Sequence, residues 1–297
     1  MSNYKIFTDS ACDLTKEMRE KYDLDYFRMG ITVDGVDYPC DLNFEAFSSD
    51  QLYNWVGEET HTIKTSLIQM QDIIDRTRKY LDAGNDILYI ACTSKLSGSW
   101  NIFRIVAQEL EEDYPDRKIV VYDSCRAGMA LGLMVMDACE KQKAGASFDE
   151  IIKWLDEEKQ TYNLCGTVKN LTYLKNAGRV SGAAAFFANM FNIKPVIVAD
   201  TLGHNYVINK VRGLDKAYDE LFKIVKRDIE GMPNPVVYLG QGMAQEAVNY
   251  FKKRLTDELH VNIIEYTIGP AIGISCGPGL IHLVYKGKPQ TITAPDE

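Results

Sequence analysis

The hydrophobic positions of this chain alternate between two periods. Residues 4–8 (YKIFT) form a short β-type run, and residues 14–22 (LTKEMREKY) follow with helical spacing. Asp34-Gly35 separates two β-type runs within residues 25–39, a dipeptide suited to the positive φ values of a tight hairpin. Residues 70–84 read as a helix stopped near Gly84. Residues 86–94 (DILYIACTS) are almost unbroken in apolar character, the pattern of a parallel strand buried on both faces. A helix over 99–114, a strand over 118–124 and a helix over 126–145 come next. The first half of that last helix is apolar all round, which predicts burial on every side.

Strand-like and helical runs continue beyond it. Residues 148–162 read as a connecting helix. Two β-type runs, KPVIVAD and NYVINKV, flank a turn at TLGH, and a helix spans 214–231. PVVYLG, a helical MAQEAVNYFKKRLTDEL and VNIIEY form a β–α–β unit, and LIHLVY closes the series. The order predicts an α/β protein: a wound, mostly parallel sheet in the first half and a mixed sheet in the second. At roughly 100–200 residues per domain, 297 residues suggest two domains, placed here at 1–157 and 158–297.

Charge narrows the function. Forty-two acidic residues against 33 basic ones give a net charge of −9. That disfavours a general nucleic-acid binder, which needs a basic face, and electrostatic docking on anionic membranes. No apolar run approaches the roughly 18 residues of a membrane span, and no secretory signal pattern opens the chain, so a cytoplasmic protein is expected. Seven scattered cysteines read as reduced, mostly buried thiols. No histidine has metal-ligand spacing to another His or Cys, so neither metal nor cofactor is expected.

Several expected strands end in hydroxyl residues: Thr8-Asp9-Ser10, Thr65-Ser66, Thr93-Ser94 and Asp123-Ser124. Each alone reads as a helix cap. Together they suggest donors for an anion at the carboxyl ends of the strands. Ser94, Ser97, Gly98 and Ser99 open a helix like an anion nest. Two other motifs are weaker. Gly273-Ile-Ser275-Cys-Gly277 fits the hydrolase elbow G-x-S-x-G, but Pro278 and a β-type run follow where a helix is required. Gly240-Gln-Gly242 is half of a dinucleotide fingerprint, with Gln245 at the third glycine position, and reads as a β–α turn. An enzyme using Ser97 or Ser275 as nucleophile, or a nucleotide binder using Gly240 and Gly242, are the alternatives to a binding protein.

Taken in order, TDSACDL (8–14), KTS (64–66), TSKLSGSWN (93–101), DSCRAGMALG (123–132), LTYLKNAGRVSG (171–182), NIKPVIVAD (192–200), KVRG (210–213) and IGPAIGISCGPG (268–279) strongly resemble the DegV family of bacterial fatty-acid-binding proteins. The resemblance spans essentially the whole chain. It implies a two-domain α/β protein holding one long-chain fatty acid in a tunnel between the domains. It also implies presentation of the carboxylate to a separate fatty acid kinase that forms an acyl-phosphate, with no catalysis by this chain. By that resemblance Thr65 and Ser66 belong to the carboxylate-binding segment, and Ser97 with Gly98 supplies a second donor. Arg179 stands in the family's G-G-R-[IV] element, here Ala177-Gly178-Arg179-Val180, and Arg212 in the V-R-G element has a supporting role. Two positions depart from the family pattern: Ser275 replaces a histidine near the carboxylate, and Leu67-Ile68 stands where a proline is common. A serine can donate a hydrogen bond but carries no charge. Residues 127–136 and 182–191, rich in small residues, Met and Phe, are the expected tunnel walls.

Overall fold

The computed structural model describes residues 3–58, 61–180 and 192–295. Its first sheet has the order β2-β1-β6-β7, made from β1 (Tyr4–Asp9), β2 (Asp25–Phe27), β6 (Asp86–Ala91) and β7 (Ile119–Asp123), all parallel. Five of the six β6 residues are buried, as the apolar run required. Helices α1 (Lys16–Tyr22), α3 (Met70–Asp82) and α4 (Ser99–Asp113) connect these strands.

The β-type run over 25–33 forms two strands in two sheets. Its second part, β3 (Gly30–Val33), joins β4 (Val36–Pro39) and β5 (Ile63–Ser66) in a small antiparallel sheet ordered β4-β3-β5. The break lies at Arg28-Met29, where the Met29 N–H leaves the ladder and donates to Ser10 Oγ at 3.1 Å. The hairpin at Asp34-Gly35 forms as expected, with φ of +50° and +85°. Helix α2 (Ser49–Gly57) lies between β4 and β5 in the chain.

The second half builds a six-stranded mixed sheet ordered β10-β9-β8-β13-β11-β12. Its strands are β8 (Tyr162–Thr167), β9 (Ile193–Ala199), β10 (Asn205–Arg212), β11 (Val236–Gly242), β12 (Asn262–Thr267) and β13 (Leu280–Lys286). Only β11 and β12 run parallel, joined through α9 (Gln245–Leu259). Side chains alternate across this sheet. Cys165, Ile281, Leu283 and Tyr285 pack under α8 (Leu214–Ile229) and α9. Leu164, Leu280 and Val284 face the first half and belong to its hydrophobic core. The two sheets therefore share one core.

Helix α5 (Gly128–Lys143) fills the space between those sheets, touching strands of both, with α6 (Phe148–Glu158) beside it. Eleven of its 16 residues are buried, which explains why its sequence lacks a polar stripe. Of residues 127–136, expected to wall a tunnel, Ala127 and Gly128 line cavities. Met129, Ala130, Leu131, Met134 and Val135 are completely buried core. The other expected wall, 182–191, falls outside the described residues.

Just before α5, Arg126 is buried and ties together backbone from both halves. Nε donates to Tyr162 O at 2.6 Å, Nη1 to Asp200 O at 3.0 Å and Cys125 O at 2.6 Å, and Nη2 to Gln160 Oε1 at 2.9 Å. Burial lowers its pKa to about 10, which leaves it charged at neutral pH. Replacing it by an apolar side chain strands several acceptors at once. Arg126→Leu is expected to lose at least about 3 kcal/mol of stability, read from the urea denaturation midpoint. A midpoint equal to wild type would show that these bonds contribute little.

Candidate functional site

Helix α10 (Pro270–Cys276) sets the position of the site. It carries glycine at 269, 273 and 277, a spacing of four that places all three on one side. A side chain on Gly269 would meet Asp13 Oδ1 at 2.7 Å, one on Gly273 the Tyr53 hydroxyl at 2.7 Å, and one on Gly277 the Tyr173 ring. The glycines let this short helix lie directly against α2, which bears Tyr53, and α7 (Leu171–Ala177), which bears Tyr173. The Tyr53 hydroxyl donates to Ile268 O at 3.0 Å, and the Gly269 N–H to Asp13 Oδ1 at 2.9 Å. Ala271, Ile272, Ser275 and Cys276 then face a cleft.

Further segments line this cleft of about 430 Å³, among them Thr65, Ser66 and Leu67 at the end of β5, Leu96, Ser97 and Gly98 ahead of α4, Arg179 after α7, Ala127 before α5, and Asn205 at the start of β10. A side chain on Gly98 would lie 3.3 Å from Leu67 Cδ1, so the two loops close on each other. Gly30 plays the same part for Ser66, whose hydroxyl occupies the space a Gly30 side chain would take. Ser97 Oγ accepts from Ser99 N at 3.2 Å, and its proton has no acceptor among the described residues. Arg179 Nε reaches Leu96 O at 3.4 Å, and Asn205 Nδ2 donates to Arg179 O at 3.2 Å. The chain thus brings together Thr65, Ser66, Ser97, Gly98, Arg179 and Ser275 around one cavity.

Arg212 lies elsewhere. It ends the edge strand β10, whose other end, Asn205, lines the cleft. Seven residues of strand put the two roughly 23 Å apart.

Most of the other strand-end hydroxyls serve the loops themselves. Asp9 accepts from Ala11 N, Cys92 N and Tyr89 Oη at 2.7–2.9 Å. Ser10 holds Met29, Ser124 braces Arg126 on both sides, and Asp123 receives Ser94 N. Ser99 is buried under the helix start. Of the expected nest at 94–99, Ser97 and Gly98 face the cleft.

The G-x-S-x-G match is part of the α10 glycine face, with no strand–turn–helix elbow. The Ser275 hydroxyl donates to Ala271 O at 3.4 Å, one helical turn back. Neither Ser97 nor Ser275 is hydrogen-bonded to a histidine or lysine among the described residues. Gly240 and Gly242 are likewise packing glycines, lying against Tyr266 and Tyr53.

The cleft adjoins two other spaces. Outward, it shares Thr65, Arg179 and Ser275 with an open groove of about 640 Å³ that also bears His61, Lys64 and Asn176. Inward, it shares Ala127, Asn205, Ile272 and Cys276 with a small pocket lined mainly by Leu164, Val168, Leu174, Ile197 and Leu280. Polarity therefore falls from the groove to the interior.

Sequence reading missed Asp13, which anchors α10. It is fully buried with φ of +53°, and burial pushes its carboxyl up to about 7 despite the Gly269 N–H. An unfolded carboxyl titrates near 4, so the folded protein holds an extra proton between about 4 and 7. This group's contribution to stability therefore falls as pH rises through that window and levels off above it. Asp13→Asn keeps an oxygen for Gly269 and removes the titration. Its denaturation midpoint relative to wild type is expected to rise from pH 5 to pH 8. A constant difference would show that Asp13 is ionised throughout.

The model of the DegV family, described as an uncharacterised protein family, matches residues 3–288. A DegV domain-containing protein of Clostridium perfringens is 30% identical over 289 residues, spanning 97% of this chain and 98% of its own. Among solved structures, a DegV lipid-binding protein from Thermotoga maritima gives a TM-score of 0.83 at 26% identity, covering 97% of this chain and 100% of its own. A stearic acid-binding protein from Eubacterium ventriosum gives 0.85 at 27% identity, covering 95% and 98%. No helix among the described residues is long and apolar enough to cross a membrane. A match along nearly the whole sequence, with a shared fold, shows that the chain belongs to the DegV family.

Proposed function

We propose that this chain binds one long-chain fatty acid without chemistry of its own. Its carboxylate sits at the rim of the cleft and its acyl chain runs inward between the two halves. The observation carrying this reading is the convergence of Thr65, Ser97 and Arg179 on a cavity that leads to an apolar pocket. Thr65 and Ser97 donate to the carboxylate, with Ser66, Gly98 and Ser275 beside them. A buried carboxylate without donors would be very costly, and hydroxyls fixed on a strand end and a helix start meet that need. Each methylene removed from water adds roughly 0.8 kcal/mol, so the tail supplies most of the affinity. The stearic acid bound by the Eubacterium ventriosum relative supports this ligand class.

The open groove beside Thr65 and Arg179 suits a second role: presentation of the carboxylate in the cytoplasm to a fatty acid kinase that forms the acyl-phosphate. Ser275, where the family pattern often has histidine, leaves Arg179 as the cation among the described residues lining the cleft itself.

Thr65→Ala and Ser97→Ala are each expected to weaken stearate binding by about 1–3 kcal/mol, measured by calorimetry or displacement of a fluorescent fatty acid. Unchanged affinity in both would place the carboxylate elsewhere. Arg179→Ala is expected to change stearate affinity by less than about threefold, an exposed charge being worth under ~1 kcal/mol, while slowing kinase-coupled acyl-phosphate formation. Equal rates for both forms would remove Arg179 from the transfer step.

A further inference from the structure

The inner pocket is mostly apolar, and its polar lining residues are Asn205, Thr167 and His282. His282 faces inward from β13, opposite Gly166 on β8. A side chain on Gly166 would meet His282 Cδ2 at 2.7 Å, so the glycine makes room for the ring. His282 is 8% exposed, and its Nδ1 has no hydrogen-bond partner among the described residues. Burial lowers the imidazole to about 4, so it is neutral at physiological pH and repels no neutral guest.

A second orphan lies beside it. Asp13 Oδ2 is buried and also without a partner among the described residues. Both atoms flank Gly128, which lines the pocket: Oδ2 lies 3.3 Å, and His282 Nδ1 3.9 Å, from the point a Gly128 side chain would occupy. Leu164 Cδ1 closes the third side at 3.7 Å. The missing side chain leaves a notch about one heavy atom wide between two polar groups, with Leu164 on its third side. A saturated tail passing this notch satisfies neither group. A hydroxyl can accept from one and donate to the other, because it is both donor and acceptor.

We infer that the Asp13–Gly128–His282 notch selects acyl chains bearing a hydroxyl group. This rests on the fatty-acid reading above and adds the ligand's chemical class. The experiment compares dissociation constants for stearic acid and a positional series of hydroxystearic acids, in wild type, His282→Leu and Gly128→Ala. At least one positional isomer is expected to bind wild type roughly five- to tenfold more tightly than stearate, the worth of about one well-made buried hydrogen bond. The ratio of the two constants, whatever the absolute affinities, should fall to about one in His282→Leu, which lacks the imidazole, and in Gly128→Ala, which fills the notch. The inference is overturned if no isomer exceeds stearate, the result expected if the notch holds only a water. It is also overturned if the preference survives in both variants. Normal stearate binding without a hydroxyl preference would overturn this inference alone, whereas failure of every fatty acid to bind would overturn the parent reading with it.

Discussion

The site depends on how closely α10 can approach its neighbours. A helix of seven residues has little stability of its own, so packing must hold it. Gly269, Gly273 and Gly277 provide that packing by removing every side chain from one face, against Asp13, Tyr53 and Tyr173. These contacts come from three separate parts of the chain. Ala271, Ile272, Ser275 and Cys276 of this helix are thereby fixed against the cleft. A methyl group on Gly273 would push the helix away from Tyr53 and carry the cleft wall with it.

The same arrangement separates polar from apolar work. Hydroxyls stand at the rim, where Thr65 and Ser66 are still exposed, and aliphatic side chains line the interior. Several hydrogen-bonding groups that would be expensive to bury unpaired are paired within loops, as with Asp9 and Arg126. Asp13 Oδ2 and His282 Nδ1 are among the buried atoms left without a partner by the described residues, and both flank a glycine that opens space between them.

Much of the architecture was legible because alternation and helical spacing are local signals. The parallel run at 86–94, the Asp34-Gly35 hairpin and the all-round apolar start of α5 each declared their environment. Three short helices did not: α2, α7 and α10 have nine, seven and seven residues and are held by tertiary contacts. The strand over 25–33 could not be seen to divide, because the break depends on Ser10, a partner distant in sequence. At the site, Thr65 and Ser97 were found through motifs. The same logic placed Arg212 with them, although the length of β10 carries it away. The hydroxyls of Ser10 and Ser124 looked equivalent to those of Thr65 and Ser97 in sequence. Only the fold shows which pairs face a cavity and which hold a turn. Asp13 and His282 carried no local signal, since each matters through a neighbour more than a hundred residues away in one case and through an unfilled space in the other.

A crystal structure of the protein with stearic acid bound tests the account most directly. The account predicts the carboxylate within hydrogen-bond distance of both Thr65 Oγ1 and Ser97 Oγ, and the acyl chain passing Ile272 and Cys276 toward Leu164 and Leu280. A carboxylate held by other groups, or an acyl chain lying on the outer surface with the interior closed, would contradict it.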